Sequence, residues 1–148
     1  MSRNIDVRFL LDVNVLIALA FPKHIHHERV QSWFMEALDR RWATCPLTQG
    51  GFLRVAYYEL GGSPNAMRTT VAALEQICQT SAHEFWPMDL DLRGLSDLQR
   101  SRLMGPKQIA DLQLLLLAHR HGGQLATLDT GIRELATGGK YASSLLVI

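Results

Sequence analysis

The stretch that decides the fold is RFLLDVNVLIALA at residues 8–20, where two apolar runs flank one carboxylate and one carboxamide. The first run, Val7 to Leu11, has the length and apolarity of a buried parallel strand, and the second is long enough to begin a helix. In an open α/β sheet, ligands bind where strands lead into helices. Because an unpaired buried charge is costly, Asp12 needs solvent, a hydrogen-bond partner or a metal. Asp12 is therefore either a helix N-cap or the first functional candidate.

The composition is that of an ordinary globular protein. The chain has 148 residues, of which 47% are hydrophobic and 20% charged, and we expect residues 1–148 to form a single domain. A formal net charge of +1 excludes a polycation, so contact with nucleic acid would rest on a local patch. No apolar run approaches the ~18 residues of a membrane span. The two cysteines lack metal-ligand spacing, which is typical of free thiols in a reducing cytoplasm. We therefore expect a cytoplasmic protein without a membrane segment.

Helix-like and strand-like segments alternate along the chain. Helices are predicted at about residues 24–41, 49–58, 65–79, 92–102, 107–121 and 132–136. Further short strands are predicted at residues 42–47, 84–86, 124–128 and 145–148. This alternation predicts a three-layer α/β/α domain with a mainly parallel central sheet. Right-handed crossovers then bring helix N-termini and strand C-termini to one edge of the sheet.

Three histidines, His24, His26 and His27, stand at the predicted start of the helix at 24–41. Neighbouring helical residues do not face one point. We therefore interpret the histidines as solvated positions in the first helical turn and not as metal ligands.

Three aspartates fall at the shared edge of the sheet. Asp12 ends the first strand, Asp111 lies in the first turn of the apolar helix at 107–121, and Asp129 ends the fourth strand. Each has an ordinary alternative role as a cap, a helix-dipole complement or a turn former. Together, three like charges raise one another's pKa and destabilise the fold unless a cation neutralises them. Such oxygen ligands suit Mg²⁺ or Mn²⁺, and these ions can activate water for phosphodiester cleavage.

The opening LLDVNVLI, the helix DLQLLLLAH from Asp111 and the segment LATLDTGI around Asp129 together resemble PIN-domain nucleases. The resemblance covers nearly the whole chain. It is closest to the single-domain toxins of VapC type and includes the segment TQGGFLR at residues 48–54. It implies a Mg²⁺- or Mn²⁺-dependent endoribonuclease, the toxin of a type II toxin–antitoxin pair, with RNA as substrate and a cognate antitoxin as partner. It also implies a homodimer formed through sheet-edge helices.

The resemblance further implies roles for individual residues. Asp12 and Asp111 would be direct metal ligands, and Asp129 would be a third acid, directly or through water. Asn14 and Thr127 would hold waters or carboxylates around them. Arg54 would contact a phosphate or form a structural salt bridge.

One position departs from the family pattern. Many PIN domains carry a glutamate on the helix after the second strand, where this chain has Gln49 followed by two glycines, and Glu59 lies about a turn too far along. Gln49 could ligate through its carbonyl oxygen but brings no charge, so we expect weakened metal binding. This reduced acidic set leaves open the alternative of a PIN-fold binding module with weakened catalysis. A housekeeping PIN nuclease in RNA maturation is a further alternative.

The helices at 24–41 and 49–58 carry more large apolar side chains than one core face needs. We assign Trp33 and Phe34 to the core. We expect Met35, Tyr57 and Tyr58 to line a groove that accepts an apolar helix of the antitoxin.

Overall fold

A five-stranded sheet forms the centre of the molecule. The computed structural model describes residues 7–36 and 41–148. Within them the strands are β1 (Phe9–Leu11), β2 (Trp42–Thr44), β3 (His83–Phe85), β4 (Gln124–Thr127) and β5 (Leu145–Val147). The strand order is β3-β2-β1-β4-β5, and each described pair is parallel.

Helices cover both faces of this sheet. In the described residues they are α1 (Val13–Ala20), α2 (His27–Glu36), α3 (Pro46–Glu59), α4 (Pro64–Ile77), α5 (Asp97–Arg102), α6 (Lys107–Arg120) and α7 (Arg133–Ala136), with 3-10 turns at Thr130–Ile132 and Ala142–Ser144. Side chains alternate across a strand, so Leu10 packs with the leucines of α6 while Phe9 and Leu11 pack with α1 and α3. The sheet thus separates two apolar cores, which confirms the predicted three-layer α/β/α architecture.

The described helices are too short or too polar to act as membrane-spanning segments. The organisation of residues 1–148 as a single domain stays a prediction.

Helix α2 is shorter than the sequence pattern predicts. It begins at His27 and not at residue 24, because the preceding residues form turns. In those turns, the His24 N–H donates to the Phe21 carbonyl oxygen at 2.9 Å, and the His27 N–H donates to the His24 carbonyl oxygen at 3.0 Å. The predicted end at residue 41 is wrong, since Arg41 is not helical, and residues 37–40 lie outside the described part of the chain.

Helix starts elsewhere are set by capping chemistry. Helix α3 begins at Pro46, upstream of the predicted start at 49, because proline suits the first helical position. The Thr48 hydroxyl then accepts a hydrogen bond from the Cys45 N–H at 3.0 Å. Helix α5 begins at residue 97 instead of 92, because Ser96 and Gln99 form a reciprocal capping box.

The direction in which the chain adds strands reverses at β1. The chain passes from β1 to β2 and β3 on one side, and then crosses to β4 and β5 on the other. Strand β1 pairs with both β2 and β4, so the C-terminal ends of β1 and β4 lie side by side at a topological switch point. Open α/β sheets bind their ligands at such points, and Asp12 directly follows β1.

A glycine on α3 lets this helix pack closely against α1. A Cβ atom on Gly51 would clash with Cγ2 of Val13, in the first turn of α1. A Cβ atom on Gly50 would meet only the flexible end of Arg54, at 3.4 Å. The close approach therefore requires glycine at 51 and not at 50.

We expect Gly51→Ala to lower the free energy of unfolding by about 1–3 kcal/mol, because the added methyl group overpacks the contact between α1 and α3. Gly50→Ala is the matched control and should raise that free energy by up to about 1 kcal/mol, since alanine favours helix. Urea denaturation measures both. If the two variants changed the free energy of unfolding equally, close packing of α1 and α3 would not be the reason for glycine at position 51.

Candidate functional site

Asp12 is a buried carboxylate that also caps α1. It is 8% exposed. Its Oδ1 accepts a hydrogen bond from the Val13 N–H at 2.8 Å, and its Oδ2 accepts one from the Thr127 hydroxyl at 2.7 Å. The pKa of Asp12 is raised above its ordinary value, mainly because the carboxylate is buried and in smaller part because of the charge of Asp129. The hydrogen bonds from Thr127 and Val13 oppose this rise. Capping and a role in the site are therefore compatible for this residue.

Hydrogen bonds tie the residues after β1 to the end of β4. The buried Thr127 hydroxyl donates to Asp12 and accepts the backbone N–H of Asp129 at 3.0 Å. The Asn14 amide donates to the same hydroxyl at 3.4 Å, and Asn14 Oδ1 accepts the Leu128 N–H at 3.2 Å. Thr127 thus fixes the Asp12 carboxylate, while Asn14 fixes the turn that carries Asp129.

Asp111 lies on α6, across from the ends of the strands. Because α6 begins at Lys107, Asp111 stands one turn inside the helix and not in its first turn. The pKa of Asp111 is raised to about 6, mainly by burial and further by the charges of Asp12 and Asp129, against the opposing charge of Lys107. The three carboxylates are therefore close enough to repel one another.

Asp129 combines a local role with a place in the site. Its Oδ1 accepts the Gly131 N–H at 2.8 Å, which begins the 3-10 turn after β4. Asp129 is exposed, so its carboxylate remains accessible to a ligand.

These aspartates line one cleft of about 600 Å³ between α1, α3 and α6. The lining consists of Asp12, Val13, Asn14, Ile17, His24, Val55, Glu59, Lys107, Asp111 and Asp129. In residues 7–36 and 41–148, no group of three or more His, Cys, Asp or Glu side chains is arranged so that it could hold a metal ion. The cleft is open and its lining is acidic. Its volume is in the range of small-molecule sites.

Two of the residues predicted for the site have other surroundings. The Gln49 amide donates to the Thr44 hydroxyl at 3.0 Å, and His83 Nε2 lies 2.8 Å from that same hydroxyl. Because α3 begins at Pro46, Gln49 falls in its first turn, beside the end of β2. Arg54 lines a groove between α3 and α4 instead of the acidic cleft.

Three ionisable residues of the cleft were not predicted for the site. Glu59 lies in the last turn of α3, at the position that the sequence suggested was too far along. Lys107 stands four residues before Asp111, a helical spacing that the sequence does reveal. His24 was misread as a solvated helical residue, but it lies half-buried in a turn.

The chain matches known proteins over most of its length. A family model described as PIN domain matches residues 9–138. Ribonuclease VapC44 of Mycobacterium tuberculosis is 39% identical over 96% of this chain and 100% of that protein. Ribonuclease VapC29 of the same organism is 44% identical over 85% of this chain and 89% of that protein.

A solved structure supports the fold. The crystal structure of PAE2754 from Pyrobaculum aerophilum aligns with a TM-score of 0.57 and 19% identity, covering 90% of this chain and 82% of that chain. The family model and the relatives together show that the chain belongs to the PIN domain family. Within that family the chain is of VapC type, as its relatives are, and the resemblance drawn from the sequence is confirmed.

Proposed function

We propose that this protein is a metal-dependent endoribonuclease, the toxin of a toxin–antitoxin pair, acting in the cytoplasm on RNA. The observation that carries the proposal is that Asp12, Asp111 and Asp129, from three separate parts of the chain, line one cleft. The names of the relatives, ribonucleases of VapC type, support RNA as the substrate and an antitoxin as the partner.

The donor chemistry of the cleft fits Mg²⁺ or Mn²⁺. These ions prefer carboxylate oxygens and keep several waters, so they need only one or two protein carboxylates. Asp12 and Asp111 would hold the ion, with Asp129 acting directly or through water. A cation there would also offset the repulsion that contributes to the raised pKa of Asp111.

A bound ion of this kind activates water and stabilises negative charge on a phosphate. The protein supplies the positioning around it. Thr127 and the first N–H of α1 fix the two oxygens of Asp12. Lys107 brings a positive charge to the cleft for an RNA phosphate.

Cleavage of labelled single-stranded RNA by the purified protein tests the proposal. We expect cleavage with Mg²⁺ or Mn²⁺, none in EDTA, and recovery when excess Mg²⁺ is added. Asp12→Asn protein purified in the same way controls for a contaminating nuclease. Cleavage that survives EDTA would contradict metal dependence, and RNA binding without cleavage would favour the binding-module alternative.

We propose the groove between α3 and α4 as the docking surface for the antitoxin. It encloses about 480 Å³ and is lined by Gly50, Leu53, Arg54, Tyr57, Tyr58 and Met67. Tyr58 is 76% exposed and Met67 43% exposed. Apolar surface of this kind marks interfaces, and a groove between helices suits the apolar face of a partner helix.

The other large apolar side chains of the sequence prediction divide between core and surface. Trp33 and Phe34 pack against the core, as predicted. Met35 is 57% exposed, but it lies on α2 and is not among the residues that line this groove, unlike Tyr57 and Tyr58.

Copurification with the cognate antitoxin tests the docking surface. A Tyr58→Ala/Met67→Ala variant should lose most of the bound antitoxin, because both side chains line the groove. Met35→Ala is the control and should retain it. Retention by the groove variant would place the antitoxin on another face.

We also propose a homodimer through the sheet-edge helices, which light scattering on the purified protein would test.

We expect Gln49→Glu not to reduce the Mg²⁺ concentration needed for half-maximal cleavage, because residue 49 lies with Thr44 beside the end of β2. The change should lower the free energy of unfolding by about 1 kcal/mol, since the Thr44 hydroxyl loses an N–H donor. A metal titration and urea denaturation measure the two effects. A clear fall in the Mg²⁺ requirement would instead place residue 49 at the metal site.

A further inference from the structure

The imidazole of His24 is held in one arrangement beside the acidic cleft. The residue lies in the turn between α1 and α2, where its N–H donates to Phe21 and its carbonyl oxygen accepts from His27. Its ring nitrogen Nδ1 accepts the backbone N–H of His26 at 3.1 Å. The turn therefore constrains both the backbone and the ring of His24.

These bonds determine which ring nitrogen carries the proton. A nitrogen that accepts an N–H bond cannot itself be protonated, so the neutral ring of His24 has its proton on Nε2. The Nε2–H group is the donor that remains on the ring for a ligand.

The charge of the cleft makes such a donor useful. Its lining includes the carboxylates of Asp12, Glu59, Asp111 and Asp129, which repel the phosphates of an entering RNA strand. The Asn14 amide uses one of its two N–H groups on Thr127. Among the described residues of the lining, the side chains that can offer a donor to an anion are His24, Lys107 and the second N–H of Asn14.

We infer that His24 donates a hydrogen bond from Nε2–H to a backbone phosphate of the RNA and so positions the strand on the acidic cleft. The inference rests on the proposed ribonuclease function. With Nδ1 committed to the backbone N–H of His26, the ring acts toward the RNA as a hydrogen-bond donor and not as a metal ligand. Phosphate contacts carry no sequence information, so this contact should support RNAs of different sequence alike.

Three variants separate this contact from a structural role of the turn. His24→Ala removes the donor. His24→Gln keeps an N–H group at the end of a side chain of similar reach. His26→Ala removes the neighbouring imidazole, whose ring centroid lies 5.7 Å from that of His24, but keeps the backbone N–H that orients His24.

Fluorescence anisotropy with a short fluorescein-labelled single-stranded RNA of mixed sequence, in EDTA, measures binding without turnover. We expect His24→Ala to raise Kd by about 10- to 100-fold, the effect of one hydrogen bond to a charged group. His24→Gln should stay within about 2-fold of wild type, and His26→Ala should match wild type. With Mg²⁺, His24→Ala should raise KM while kcat stays unchanged.

A long-range ¹H–¹⁵N spectrum of the wild-type protein provides a test that needs no variant. Nδ1 of His24 should appear unprotonated, and the Nε2 signal should shift when the same RNA is added in EDTA. The inference would be overturned if the Nε2 signal of His24 did not shift on addition of RNA. It would also be overturned if all three variants lost the same RNA affinity. Wild-type cleavage with wild-type binding by His24→Ala would overturn it while the proposed function stands, and a wild type that neither binds nor cuts RNA would overturn both.

Discussion

Asp111→Asn should reduce RNA cleavage by more than about 100-fold while the protein stays folded, and Asp12→Asn should do the same. Both changes remove a carboxylate from the proposed metal site, and loss of a supporting residue alone typically costs 10- to 100-fold. Cleavage rates at saturating Mg²⁺ measure the effect. Asp97→Asn, which removes an exposed carboxylate from the first turn of α5, is the control and should cleave normally.

The same Asp111→Asn variant should be more stable than wild type without metal. In the folded protein the pKa of Asp111 is raised to about 6, above the ordinary value of an unfolded chain. Ionisation of Asp111 therefore costs stability as the pH rises through the interval between these two values. The gain should be about 1 kcal/mol at pH 7, since solvent screens this half-exposed carboxylate, and absent at pH 3. Urea denaturation in EDTA at both pH values checks the sign of this change in the free energy of unfolding.

Full RNA cleavage by both aspartate variants would contradict the proposed metal site.

Thr127→Val should lower the free energy of unfolding by about 2–3 kcal/mol and cleavage by more than about 10-fold. Valine keeps the shape but removes the hydroxyl, so the buried Asp12 loses a donor and the Asp129 N–H loses an acceptor. Thr127→Ser keeps the hydroxyl and should retain most activity.

Urea denaturation and cleavage assays on the two Thr127 variants distinguish the hydroxyl from the methyl group. Equal stability and activity in Thr127→Val and the wild type would mean that the hydroxyl does not hold Asp12 in place.

The sequence predicted the layered fold and the meeting of the aspartates, because both follow from local patterns. Apolar runs such as Val7 to Leu11 mark buried strands, and right-handed crossovers bring strand ends and helix starts to one edge. Asp12, Asp111 and Asp129 lie at that edge. The order in which such short strands pair depends on contacts between distant segments, which no local pattern encodes.

The sequence could not locate the acidic side chain that α3 contributes to the cleft. Gln49 and Glu59 are ten positions apart, or about 15 Å along a helix. Which of them reaches the cleft depends on where α3 begins and how it crosses the sheet, and hence on Pro46 and on the contact of Gly51 with Val13. His24 was misjudged for a related reason, since a turn and a first helical turn look alike in sequence.

Helix α3 has a consequence for how this protein can diverge in evolution. One side of the helix bears Val55 and Glu59 on the cleft, and another bears Tyr57 and Tyr58 on the groove. The aspartates come from outside the continuous segment that forms α3 and α4, residues 46–77. With the antitoxin docked in this groove, as proposed, partner choice can drift by substitutions within one short stretch while the aspartates of the cleft are preserved elsewhere. A gene duplicate could in this way acquire a new, non-cross-reacting antitoxin without losing the proposed catalytic aspartates.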